Sequence, residues 1–267
     1  MARTIGCIGC GNMGGALISG FAGVMKGGEY AFCGCNRSPE RMRPLAEKGV
    51  SALADAKSVA EQADIIVLAV KPAQVAEVLG GIRHALNADK ILVSVAAGIG
   101  LKRLDEGVDG RCPVVRCMPD TPALVGKGVF AFCFAEGTEG EARKEILELF
   151  GRLGQCFELP EAKFAAFSAL VGAGPAYVFE MMQGLVQAGV TLGFTHADAR
   201  RMVAGLFEGC AEMARRDGAH LMQMRDAVCS PGGLTIAGVN VLDRRGLCGM
   251  LVDAVLAADA RGREMEK

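Results

Sequence analysis

The 267-residue sequence predicts an α/β fold: a doubly wound, mostly parallel sheet in the N-terminal part, followed by an all-α region. Three observations predict it. Short apolar runs alternate with helical patterns through the first part of the chain, as strands joined by crossover helices do. The first run leads directly into a glycine-rich turn that opens a helix. From Glu161 onward the β-branched runs vanish, and Ala, Met, Gly and Leu recur at helical spacing.

In order along the chain, Thr4 to Gly9 (TIGCIG) is the first strand-like run, and a helical pattern follows from about Met13 to Met25. Tyr30–Asn36 (YAFCGCN), Ala63–Val70 (ADIIVLAV), Lys90–Ala97 (KILVSVAA), Pro113–Pro119 (PVVRCMP) and Gly128–Phe134 (GVFAFCF) continue the series. A helix from about Glu139 to Leu153 and the run GQCFEL close the unit. The next segment, GPAYVFEMMQGLVQAGVTLGF, reads as a long helix opened by Gly174-Pro175, with proline tolerated in the first turn. It is apolar on most faces, so it is expected to be buried in a core or against another subunit. Helices are predicted over about His196–Arg216, Leu221–Val228 and Leu234 to the end. The domain boundary is set at 158/159, dividing an expected α/β domain of residues 1–158 from an expected helical domain of residues 159–267.

Composition excludes several classes. The chain is 51% hydrophobic and 22% charged, with a formal net charge of −1 and no cationic run, so nucleic acid and anionic membranes have no electrostatic footprint. No apolar run is read as approaching the roughly 20 residues of a bilayer span. The N-terminus lacks the apolar core of a signal peptide, and the expectation is a cytoplasmic protein. The eleven cysteines are expected as free thiols. Cys7-x-x-Cys10 and Cys33-x-Cys35 invite a zinc reading, but Cys10 occupies a variable slot of the glycine loop and the three histidines have no ligand spacing. Small buried cysteines and no metal are expected.

The segment IGCIGCGNMGGALISGF places Gly9-x-Gly11-x-x-Gly14 between a strand and a helix. Gly9 permits the turn, Gly11 lets backbone amides approach a pyrophosphate, and Gly14 lets helix and strand pack closely. The anion would rest on the positive end of the helix. This is the dinucleotide fingerprint of a Rossmann-type domain. At the end of the second run, where NAD enzymes carry an acid, the sequence has Asn36, Arg37 and Ser38. An arginine there can pair with a 2′-phosphate, and its neighbours can donate to the same oxygens; a solvated turn arginine, with Ser38-Pro39 starting a helix, is its other reading. NADP(H) is therefore preferred, with NAD(H) possible. Ala69–Val75 and Val95–Ile99 end further strands, where open sheets bind ligands. Lys71 is read as a wall of the cofactor site, not as an acid or base.

Several segments together resemble the pyrroline-5-carboxylate reductase family: IGCGNMGGALI, LAVKPAQV, SVAAGI, VRCMPDTPALVGKG, GAGPAYVF and VCSPGGLTIAGV, in the family's order across nearly the whole chain. The resemblance implies reduction of 1-pyrroline-5-carboxylate to L-proline. It also implies a helical dimerisation domain intertwined with a second subunit, and an active site between the two domains. It maps cofactor contacts onto Ile8, Gly9, Cys10, Gly11, Asn12 and Met13, onto the Asn36-Arg37-Ser38 turn, onto Ala69, Val70, Lys71 and Pro72, and onto Val95, Ala96 and Ala97. Substrate contacts map onto Ser230, Gly233, Leu234 and Thr235, with Glu161 matching an acidic residue ahead of the GPAY helix. Three positions depart from the family pattern: Asp120 for Asn, Ala173 for Ser, and Ala56 where some members carry Asn.

The chemistry agrees with the residue types. Backbone amides of Gly233, Leu234 and Thr235 at a helix start would hold the substrate carboxylate, with Ser230 adding a hydroxyl. Thr235 is the candidate catalytic residue, its hydroxyl bonding the ring nitrogen; a helix N-cap is its other reading. Glu161 reads equally as an electrostatic partner of a cationic iminium or as a first-turn carboxylate. A protonated imine needs no histidine base, so positioning would carry most of the catalysis. Cys229 has no activating neighbour in sequence and reads as packing. The alternatives are another cyclic-imine reductase, a hydroxy-acid dehydrogenase on a similar scaffold, and a non-enzymatic cofactor sensor. The dehydrogenase wants a lysine in the long helix, which has none. The sensor is opposed by the intact CSPGGLT. The helices after the boundary are too apolar for so short a domain to bury alone, so a homodimer is expected, with a larger assembly of dimers left open.

Overall fold

The structure is a computed structural model and describes residues 2–25, 27–138, 140–218 and 220–265. Glu139, the predicted start of one helix, and the last two residues, assigned to the final helix, lie outside the described residues. The chain forms two compact units, Met1–Gly172 with Asp259–Lys267, and Ala173–Ala258.

The first unit is built on an eight-stranded sheet: β1 (Arg3–Ile8), β2 (Tyr30–Cys35), β3 (Ser51–Ala52), β4 (Ile65–Leu68), β5 (Ile91–Ser94), β6 (Val114–Met118), β7 (Gly128–Phe134) and β8 (Gly154–Glu158). The order is β3-β2-β1-β4-β5-β6-β7-β8. All pairings are parallel except β6 with β7. β4 and β5 are buried throughout, which is why they read as unbroken apolar runs rather than alternating ones.

Helices cover both faces. α1 (Asn12–Val24) and α6 (Glu141–Gly151) meet over Phe150, which packs edge-to-face on Phe21 at 5.1 Å, Phe132 at 5.1 Å and Phe130 at 5.3 Å. Between them in sequence lie the short α2 (Arg43–Ala46), then α3 (Ala56–Gln62), α4 (Val75–Ile82) and α5 (Leu101–Val108). The last three close the opposite face through Val59, Leu79, Leu104 and Val108. After β8 the chain forms α7 (Phe164–Phe167) and a π-helical turn, Ser168–Gly172. Phe164 and Phe167 bury themselves against Ala131 of β7.

The second unit contains α8 (Gly174–Thr191), α9 (His196–Asp217), α10 (Leu221–Ala227) and α11 (Leu234–Arg245). α8 and α9 pack through Val186, Ala199 and Val203. The helix predicted from Leu234 to the end is two helices. Gly246 adopts a left-handed conformation with φ of 70° and donates to Asp243 O at 3.0 Å, ending α11 before α12 (Leu247–Met265) begins. A left-handed glycine cap of this kind terminates helices because it suffers no Cβ clash.

One sequence expectation is corrected. The helical stretch Glu161–Thr191 is long and apolar enough, by length and composition, to cross a membrane. Its single charge between residues 164 and 197 is Glu180, and interspersed glycines and polar residues hid it as a run. Within the chain α8 buries only Val186 among its described residues, and Phe179 remains 65% exposed.

Candidate active site

The strand order reverses between β1 and β4: the chain moves from β1 outward to β2 and β3, then crosses to the other side of β1. Loops leaving adjacent strands part at such a point and open a crevice. Here the parting loops are those after Ile8 and Leu68. Gly9 takes a φ of 94°, a region costly for a side chain. Its amide and that of Cys10 both donate to Cys35 O at 3.0 Å. A Cβ on Gly14 would collide with Gly9 O and come within 2.8 Å of the Ala69 Cβ. A Cβ on Gly11 would meet only Gly9 O, at 4.0 Å. The loop is thus closed beneath by packing and open above at the start of α1, which fits a pyrophosphate.

A cavity of about 640 Å³ occupies this crevice. Ile8, Gly9, Gly11 and Asn12 form one wall; Asn36, Arg37 and Ser38 form a second; Ala69, Val70 and Lys71 form a third. Ten of the sixteen residues expected to bind cofactor therefore line one space. The other six do not line it. Cys10 turns inward, its thiol donating to Cys7 O at 3.5 Å and filling the space where Gly34 lacks a side chain. Met13 packs on the core beneath α1. Pro72 opens the Pro72–Gln74 turn. Val95 and Ala96 are buried at the end of β5 and Ala97 is exposed beyond them.

Residues not anticipated as ligands also line the cavity: Cys35, Arg41, Ala54, Asp55, Gln74 and Val78. Arg41 Nη1 donates to Asn12 Oδ1 at 2.9 Å. The Gln74 amide oxygen, turned to satisfy both groups, accepts from Arg37 Nη1 and Nη2 at 3.0 Å each. Asn36 Nδ2 donates to Ser38 O at 3.3 Å and stiffens the bend. Asp55 caps α3, accepting from the Ser58 amide and hydroxyl at 2.8 Å, and these bonds lower its pKa. Ala56, a departure from the family pattern, leaves an apolar patch on the same wall. A spacing of four from Arg37 to Arg41 was the one signal in sequence for the second guanidinium.

The expectation of buried cysteines holds for Cys7, Cys10, Cys33, Cys35, Cys112 and Cys117, whereas Cys210 and Cys248 are exposed. Burial pushes the Cys33 and Cys35 thiols up to about 11, and hydrogen bonding with Cys10, followed by burial, raises Cys7. Neutral thiols are poor nucleophiles and poor metal ligands. Among the described residues no group of three or more His, Cys, Asp or Glu side chains is arranged to hold a metal.

Glu161, still within the first unit, accepts from the Leu101 amide at 2.7 Å and from Arg116 Nη1 at 2.9 Å through the same Oε1. It lies in the Glu161–Lys163 turn, and the amide it receives belongs to the first residue of α5.

In the second unit, CSPGGLT forms a turn that opens α11. The Gly233 amide donates to Ser230 O at 3.1 Å, and Gly232 has a φ of 66°. The Ser230 hydroxyl lies against the bare Cα of Gly233. Gly233, not Thr235, is the N-cap, and it makes no side-chain bond. Thr235 is the second residue of the helix, so its hydroxyl is not consumed as an N-cap. The first-turn amides, those of Leu234 and Thr235, have no intrahelical acceptor by the geometry of a helix start. Leu234 is 96% exposed.

A glycine loop opening a helix at the sheet's switch point, above a cavity lined by guanidinium groups, defines a dinucleotide-dependent oxidoreductase. Residues 4–98 match the family model described as NADP oxidoreductase coenzyme F420-dependent, and residues 161–265 match that described as pyrroline-5-carboxylate reductase dimerisation. The pyrroline-5-carboxylate reductase of Corynebacterium melassecola is 34% identical, with 99% of each chain covered. Among solved structures, a pyrroline-5-carboxylate reductase from Coxiella burnetii superposes with a TM-score of 0.90 at 28% identity, covering both chains fully. The Plasmodium falciparum pyrroline carboxylate reductase, solved with NADP bound, gives 0.89 at 28% identity, covering 99% of this chain and 98% of its own. The chain belongs to the pyrroline-5-carboxylate reductase family.

Proposed function

We infer that the protein reduces 1-pyrroline-5-carboxylate to L-proline, using NADPH in preference to NADH. The carrying observation is that relatives of this activity align over 99% of the chain, so the glycine loop and the CSPGGLT turn are inherited together. The bound cofactor supplies a hydride to the C=N carbon. The ring nitrogen, protonated as the iminium, becomes the amine as the double bond closes. No further proton need be removed, which suits a chain with three histidines and no base constellation.

The residues of this chain bind and orient. The open amides above Gly11 take the pyrophosphate, and Asn36, Arg37 and Ser38 take the ribose 2′-phosphate, supported by Gln74 behind Arg37. The amides at the start of α11, with Ser230 beside Gly233, hold the substrate carboxylate. The Thr235 hydroxyl bonds the ring nitrogen and fixes the ring face. Val95, Ala96 and Ala97, with Pro72 and Lys71, form the nicotinamide side of the cofactor site. Cys10 and Met13 act from beneath the loop by packing. Glu161 serves the site by fixing the start of α5, and the support for this is that its Oε1 is already committed to two donors.

Residues 1–158 serve as the dinucleotide domain, and 159–267 as the substrate-binding and dimerisation domain. The protein works in the cytoplasm, as a homodimer or an assembly of dimers; the matched dimerisation model and the exposed apolar side chains of α8 support the dimer. The experiment is NADPH oxidation by purified protein with 1-pyrroline-5-carboxylate, against the reverse assay with β-hydroxy acids. Turnover with the imino acid alone is expected. Turnover with the hydroxy acid alone would replace this reading with the dehydrogenase one.

A further inference from the structure

We propose that Arg41 completes, with Arg37, a two-guanidinium clamp for the phosphate on the adenosine ribose, and ties that phosphate to the glycine loop through Asn12. The inference rests on the NADPH reading above and adds a specificity-determining residue to it. Arg41 lines the cofactor cavity together with Arg37. It ends the Pro39–Arg41 turn that follows the bend after β2. That turn is held in place: the Arg41 amide donates to Ser38 O at 3.1 Å, the Met42 amide to Pro39 O at 3.0 Å, and the Met42 side chain is buried in the core. Pro39 itself restricts the backbone. The guanidinium is therefore presented by a fixed backbone, which lowers the ordering cost of binding an anion.

The charge count favours a second anion in this cavity. Its charged lining groups are Arg37, Arg41, Lys71 and Asp55; Asp55 Oδ1 accepts from Ser58, and three cations against this one carboxylate leave the lining cationic. A pyrophosphate resting on the glycine-loop amides and the α1 terminus leaves the two arginines for another acceptor. A phosphate monoester offers three oxygens, and two guanidinium forks can share them. Only one of the five Arg41 donors is used by Asn12. Because Asn12 is the first residue of α1, a phosphate drawn to Arg41 is mechanically linked to the residue that opens the pyrophosphate site.

The test is calorimetric titration, suited to a chain without tryptophan, of wild type, Arg37→Ala, Arg41→Ala and Arg41→Lys with NADPH, NADH, 2′,5′-ADP and 5′-ADP. Arg41→Ala is expected to weaken NADPH and 2′,5′-ADP by about tenfold or more and to leave NADH and 5′-ADP within about twofold; Arg41→Lys should restore part of the loss. Unchanged melting of the free protein would show that this exposed substitution has not disturbed the fold. Equal weakening of NADPH and NADH would assign Arg41 to the pyrophosphate and overturn the clamp. So would an unaffected NADPH titration in Arg41→Ala when Arg37→Ala has lost affinity. A wild-type protein with no preference for NADPH would instead remove the cofactor reading, and the clamp with it.

Discussion

Arg116 and Glu161 form an ion pair at 2.9 Å in which the arginine is only 8% exposed. The Arg116 guanidinium also lies 4.5 Å from the centroid of the buried Phe164 ring. The pair ties β6 to the turn that follows β8, and through the Leu101 amide it reaches the first turn of α5. One carboxylate oxygen thus joins three elements that meet only after folding.

Removing that carboxylate takes one acceptor from the mostly buried Arg116 guanidinium and leaves the Leu101 helix amide short of its acceptor. Glu161→Ala is expected to cost about 1–2 kcal/mol through the lost hydrogen bonds, and Glu161→Gln less, because a neutral oxygen can still accept from Leu101. Urea unfolding midpoints measure the loss. The Michaelis constant for the imino acid should stay within about twofold in the Gln variant. A large rise there with unchanged stability would give Glu161 to the substrate instead.

The extent to which the sequence revealed this architecture follows the range of the interactions. Gly9, Gly11 and Gly14 are legible because their roles are local: a turn, an open amide and a close packing all lie within six residues. The strands β4 and β5 are legible because burial on both faces writes an unbroken apolar run. β3 is only two residues long, too short to write any period. The break at Gly246 was hidden because helical patterns on either side are continuous. Gln74 and Asp55 reach the cofactor cavity from separate β–α connections, and Glu161 meets Arg116 across 45 residues and Leu101 across 60. No spacing encodes such meetings, which the sheet order creates.

Thr235 is expected to act in turnover. With Gly233 as the cap, Thr235→Ala should spare α11, lowering kcat by about tenfold to a hundredfold while leaving the Kd for NADPH unchanged. Thr235→Ser should retain most of the rate. Stopped-flow reduction and cofactor titration separate the two quantities, and an Ala variant with full kcat would take the hydroxyl out of the mechanism.

Arg37 carries the other half of the cofactor preference. Its guanidinium is braced by Gln74 at 3.0 Å, so its orientation is set before cofactor arrives. Arg37→Ala should raise the Michaelis constant for NADPH by about tenfold and that for NADH by much less. Gln74→Ala, which removes only the brace, should give a smaller shift in the same direction. Steady-state kinetics with both cofactors provide the measurement.

Asp120 gives a pH signature. It is 4% exposed, and burial raises its pKa despite the Val129 amide that donates to Oδ1 at 3.0 Å. A carboxyl with a raised folded-state pKa holds its proton longer folded than unfolded, so stability falls as pH rises from the ordinary Asp range through the raised value. Asp120→Asn keeps an acceptor for Val129 and removes the buried charge. The variant should be the more stable protein at pH 7.5, with the difference shrinking towards pH 4. Urea midpoints at the two pH values test this, and a variant less stable at pH 7.5 would show that the charge is compensated.

The apolar surface of α8 sets the last expectation. Phe179, Leu185 and Val190 are 65%, 45% and 43% exposed, although large side chains of this kind each gain about 1.5–3 kcal/mol when buried. Patches of this sort mark an interface or a lipid contact, and Glu161–Thr191 is long and apolar enough to cross a membrane. A second copy is the expected cover, because the matched dimerisation model includes all of α8. Sedimentation at micromolar concentration should therefore give a dimer or larger species, and Phe179→Asp should shift the population towards monomer and lower the melting temperature. Flotation with phosphatidylcholine vesicles distinguishes the lipid case: a wild-type protein that sediments as a monomer yet floats with the vesicles would assign this face to the bilayer and not to a subunit.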